Sequence, residues 1–170
     1  PDEFDQQIFM TQTRLRVDAD LTDNVSGTVA ILNERAWDDT GSDDRQFNID
    51  LAYITLREML YSPLTVIIGR QAFAFGNSFI MDTAGDGNVS DSQLSSIARD
   101  LSKEQGLDAV RLIFDYNPLT LDVIMAKVDG GTVTGRLPQD DDVDLFGINS
   151  NYQLGDDMNT VIEAYFWAQI

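Results

Sequence analysis

From Phe9 to Leu21 the chain alternates without a break. Phe9, Thr11, Thr13, Leu15, Val17, Ala19 and Leu21 fall on one side, and Met10, Gln12, Arg14, Arg16, Asp18 and Asp20 on the other. A period of two is the mark of a β-strand, whose successive side chains point to opposite faces. The pattern recurs and predicts eight strands, over residues 8–21, 25–37, 46–58, 64–76, 107–116, 119–128, 143–154 and 159–170. In the second, Val25, Gly27, Val29 and Ile31 oppose Ser26, Thr28, Ala30 and Glu34; in the third, Phe47, Ile49, Leu51 and Tyr53 oppose Asn48 and Asp50. Val110, Leu112 and Phe114 face away from Arg111 and Asp115, and Leu121, Val123 and Met125 away from Thr120 and Asp122. The last strand sets Ile162, Ala164, Phe166 and Ala168 against Glu163, Tyr165, Trp167 and Gln169.

These strands are long: roughly 10 to 13 residues, where strands of soluble proteins usually run about 5 to 6. Their connections fall into two classes that alternate. The turns at 22–24, 59–63, 117–118 and 155–158 are tight, whereas 38–45, 77–106 and 129–142 are long and polar. Long dyad-patterned strands joined by short turns at one end and long loops at the other are the sequence pattern of an outer-membrane barrel. In a bilayer only helices and closed barrels satisfy every backbone group. The expected fold class is therefore all-β, a transmembrane antiparallel up-and-down β-barrel in the outer membrane of a Gram-negative bacterium. A soluble sandwich also alternates apolar and polar residues, but strand length and the sorting of the loops favour the membrane. With long loops outside the cell, both ends of the chain would lie on the extracellular side, whereas bacterial barrels turn theirs to the periplasm. An eight-strand fragment of a larger barrel is the expectation.

The segment PLTVIIGRQAFAFG, residues 63–76, shifts its apolar phase by one at Gly69. Leu64, Val66 and Ile68 suit the lipid before it, and Phe73 and Phe75 after it. A glycine-centred β-bulge would turn Arg70 into the lumen and spare the cost of an arginine facing lipid at mid-membrane, about 2 to 4 kcal/mol.

Composition narrows the chemistry. The 170 residues carry a formal net charge of −18 and contain neither histidine nor cysteine. Such a surface is unsuited to nucleic acid. The missing residue types remove serine–histidine and cysteine–histidine catalysis, disulfides and zinc–thiolate sites, so no enzyme is expected. The polar face instead reads as the lining of a channel, with Arg14, Arg16, Asp18, Asp50, Arg70, Arg111, Asp115, Asp122 and Glu163 as pore-lining candidates. Its partners would be outer-membrane lipid and a translocated solute, small and hydrophilic or anionic. The alternative is a β-barrel or β-sandwich that transports nothing and serves as a binding or structural scaffold.

Two features belong to the long loop at 77–106. DTAGDGNVSD places Asp82, Asp86, Asn88 and Asp91 as oxygen donors suited to calcium, although the regular spacing and closing glutamate of a calcium loop are absent. Leu94, Ile97 and Leu101 then recur at helical spacing, with Asp91 or Ser92 as N-cap. The loop is long enough to fold into the pore as a constriction or lid. No other cofactor is implied.

IDLAYITLREMLYSPLTVIIGRQAFAFGNSFIMD, followed by LDAVRLIFDYNPLTLDVIMAKVD, resembles the alginate-export family of outer-membrane porins. The resemblance rests on Asp50 and Tyr53 on one strand, then Gly69, Arg70, Gln71, Phe73, Phe75 and Gly76, then Asp108, Val110, Arg111 and Leu112. It implies a large monomeric barrel with an arginine-rich lumen that passes an anionic polysaccharide. Against that, the predicted lumen mixes its arginines with acidic residues, and a path for polyuronate should be net basic.

Overall fold

The computed structural model describes residues 9–37, 47–59, 63–83, 106–129, 143–155 and 157–170. Eight strands form one antiparallel sheet in which each lies beside its neighbour in sequence: β1 (Met10–Thr22), β2 (Val25–Ala36), β3 (Asn48–Leu56), β4 (Leu64–Gln71), β7 (Leu107–Asp115), β8 (Leu119–Asp129), β9 (Val143–Gln153) and β10 (Val161–Gln169). Between β4 and β7 the chain makes a small separate hairpin, β5 (Ala74–Phe75) with β6 (Met81–Asp82). The fold is thus all-β and up-and-down. Among the described residues the sheet is not closed on itself: β1 pairs only with β2 and β10 only with β9.

Directly paired residues of an antiparallel ladder share a face. The register places Arg14, Arg16 and Asp18 opposite Leu32, Ala30 and Thr28, then carries that face through Leu51 and Tyr53 to Gly69 and Ile67. Across β7 to β10 the same face holds Ala109, Arg111 and Ile113, then Ala126, Ile124 and Asp122, then Leu145, Gly147 and Asn149, and finally Trp167 and Tyr165. The other face is apolar over most of its area. The polar face encloses apolar residues such as Ala30, Leu51 and Ile124 together with a few polar ones, while the apolar face stays largely exposed. On the apolar face Val29 is 51% exposed, Met125 53% and Phe166 66%, while on the polar face Asp50 is 0%, Asp122 3% and Asn149 2% exposed.

Several expectations are corrected by this register. No bulge interrupts β4, which pairs residue for residue with β3 and with β7 through Gly69. The shift lies instead in β3, where Ala30 pairs with Leu51 and Ile31 with Ile49, leaving Asp50 as the extra residue. In consequence Ile49 stays on the apolar face while Leu51 and Tyr53 cross to the polar one. The predicted fourth strand ends at Gln71 rather than at residue 76. Phe73 and Phe75, expected toward lipid, are buried in a cluster with Leu107, Ala109, Ile124, Ala126 and Leu145 on the polar side.

Gly69 is required for a different reason than a bulge. It adopts φ = +121°, and a Cβ there would run into the carbonyl oxygen of Ala52 on β3. Two residues on, Gln71 Nε2 donates to the carbonyls of Ile67, Gly69 and Ala109. Gly69→Ala is expected to lower the unfolding free energy by about 1–3 kcal/mol, whereas Gly27→Ala, with nothing within 4 Å of its added Cβ, stays within about 0.5 kcal/mol. Denaturant titration of both variants measures the contrast.

Candidate functional site

On the polar face Arg14, Arg16 and Arg111 each find a carboxylate across or along the sheet. On β1, Arg14 reaches over to the bulged Asp50 of β3, Nη2 to Oδ2 at 2.6 Å. The bulge makes this contact possible, since the extra residue brings the Asp50 side chain onto the same face as Leu51. Two positions along, Arg16 grips Asp18, with Nη2 2.9 Å from Oδ1. Asp18 also accepts a hydrogen bond from Thr28 Oγ1 at 2.7 Å, and Arg16 reaches the Tyr53 hydroxyl at 3.5 Å.

A second group lies on β7 to β10. Arg111 places both Nε and Nη2 on Asp122 Oδ1, at 2.7 and 2.6 Å, and Asp122 stands opposite the enclosed Asn149. Above this pair sits the β5–β6 hairpin. The Arg111 guanidinium lies 5.2 Å from the centre of the Phe75 ring, within range of a cation–π attraction. Phe75 in turn packs on Trp167 with ring centres 5.4 Å apart. Trp167 covers Gly147, where any Cβ would run into the indole. Thr83 secures the base of the hairpin, its backbone N–H and hydroxyl both donating to the carbonyl of Phe73 at 3.1 and 3.2 Å. The β5–β6 hairpin therefore packs on the polar face. The predicted helix around Leu94, Ile97 and Leu101 lies outside the described residues.

Of the pore-lining candidates, Arg14, Arg16, Asp18, Asp50, Arg111, Asp115, Asp122 and Glu163 share this face. Arg70 does not. The register pairs it with Ala52 and Asp108 on the apolar side, where Arg70–Asp108 (3.8 Å) and Lys127–Asp144 (2.8 Å) form a charged row across β4, β7, β8 and β9. This row lies next to the long loops and borders the apolar band of Ile68, Val110, Met125 and Phe146. Arg70 thus has its carboxylate partner on this face without a bulge. Of the proposed calcium donors, Asp82 ends β6, and Asp86, Asn88 and Asp91 lie outside the described residues. Among the described residues no group of three or more carboxylates is gathered as a metal site.

The alternation put Thr28, Asn149 and Trp167 on this face without singling them out as candidates, and sequence reasoning missed Gln71 and Phe75 as parts of it. Trp167 and Asn149 alternate correctly in sequence and carried a signal. Gln71 and Phe75 did not, because they depend on where β4 ends and the hairpin turns back.

The Arg111–Asp122 pair is largely buried and the Arg16–Asp18 pair exposed. Arg111→Ala leaves a carboxylate without its partner in a poorly hydrated place and is expected to cost about 3 kcal/mol. The double variant Arg111→Met with Asp122→Leu recovers most of that loss, while Arg16→Ala changes stability little. Unfolding followed by tryptophan fluorescence reads all three. The chain matches no model of a known protein family, and no curated protein matches it significantly.

Proposed function

We propose that this sheet forms part of the wall of an outer-membrane β-barrel that conducts small hydrophilic solutes along its polar face. The observation that carries the reading is an extensive apolar face left exposed, with Val29, Met125 and Phe166 among its residues, on the back of a face that encloses Asp50, Asp122 and Asn149. In water, a continuous apolar face this extensive would demand a partner; in a bilayer, lipid is that partner. The lengths of the strands of the eight-stranded sheet, 9 to 13 residues in all but β4, suit a tilted crossing of the hydrocarbon core.

Both margins of the apolar band add support. Near the long loops stand the charged row and the exposed aromatics Phe9, Trp37 and Phe47; near the short turns stand Tyr116 and Tyr152. Phe9 and Trp37 pack together with ring centres 5.9 Å apart, and Tyr116 stacks on Phe114. Aromatic girdles at the two interfaces are what a barrel wall needs.

Two measurements test the proposal. Purified protein added to a planar bilayer is expected to give stepwise conductance, and a silent bilayer would overturn the channel. Ile148→Arg, in the middle of the apolar band, is expected to destabilise the lipid-reconstituted protein by about 2–4 kcal/mol. In a water-exposed scaffold the same change at a half-exposed position would stay within about 0.5 kcal/mol.

A further inference from the structure

On the channel reading proposed above, we infer that the pore prefers cations to anions, and that carboxylates near its short-turn end set the preference. The described polar face carries three arginines, Arg14, Arg16 and Arg111. Each is held against a carboxylate of the same face, at 2.6 Å for Asp50, 2.9 Å for Asp18 and 2.6 Å for Asp122. Their positive charge is compensated locally, and no arginine on the described face remains to attract an anion on its own. Asp20, Glu34, Asp115 and Glu163 come on top of those pairs.

Three of these four gather toward one end. Asp20 is two residues from the end of β1, Asp115 closes β7, and Glu163 is two residues into β10. All three positions adjoin short turns. The turns themselves add the exposed Asp23, Glu58 and Asp157 against a single arginine, Arg57. A passage lined by one sign of charge between low-dielectric walls concentrates counter-ions and repels co-ions. A small cation, metal or organic ammonium, is therefore the solute class that fits, and the anionic polysaccharide implied by the family resemblance is the class the face repels.

The test is the reversal potential of the reconstituted full chain under a potassium chloride gradient. The expected result has the sign of cation selectivity. It should weaken as salt is raised, since the Debye length falls from about 30 Å at 0.01 M to about 3 Å at 1 M. The triple variant Asp20→Asn, Asp115→Asn, Glu163→Gln is expected to shift the reversal potential toward zero. Asp108→Asn with Asp144→Asn, which removes charge from the other face, is expected to leave it in place. Conductance with anion preference or none would overturn the inference while leaving the channel standing, and a triple variant as selective as the parent would overturn the residue assignment. Absence of conductance would overturn both this inference and the channel.

Discussion

The antiparallel register running from β1 to β10 is the constraint on which the rest of the molecule depends. Side chains alternate faces with a period of two, so slipping β8 by one residue against β7 would turn Val123 and Met125 onto the polar face and Asp122 onto the apolar one. Such a slip would break Arg111–Asp122 and put a carboxylate among Leu112, Phe114 and Val110. The ion pairs and the apolar band therefore specify the same register from opposite sides of the sheet. Short turns reinforce it, and where the register does shift, at Asp50, the extra residue is held by Arg14.

Each face solves a different problem. The apolar face keeps large branched and aromatic side chains exposed, bordered by a charged row at one margin and tyrosines at the other. The polar face has to pack while remaining polar. It does so by using small residues, Ala109, Ala126 and Gly147, as the floor on which Trp167, Phe75 and Phe73 can lie. The β5–β6 hairpin thereby acquires an apolar seat in an otherwise polar surface, and the stack from Gly147 through Trp167 and Phe75 to Arg111 joins the loop to the wall.

Charge on the polar face is arranged by pairing rather than by excess of arginine. A buried carboxylate such as Asp50 or Asp122 is tolerable only beside a cation, so the arginines of this face are committed to structural partners. In the proposed channel that commitment changes what the face presents to a solute. The positive groups stabilise the wall, and the acidic groups near the turns shape the field.

Much of this was legible in the sequence, because alternation with a period of two is a local property: eight strands, their up-and-down order and the membership of Arg14, Arg16, Asp18, Arg111, Asp122 and Glu163 in one polar face all follow from it. The phase of a strand across an irregularity is not local. Whether a glycine marks a bulge or a close approach depends on the neighbouring strand, and at Gly69 the carbonyl of Ala52 decided it, sending Arg70 to the charged row and Phe73 and Phe75 inward. The bulge at Asp50 likewise exists only in the pairing of β3 with β2. The sequence alone determined which residues could form two faces; the tertiary structure decided which face Arg70, Tyr53 and Phe75 joined, because hydrogen-bond register and a seat for the hairpin are set by strands distant in the chain.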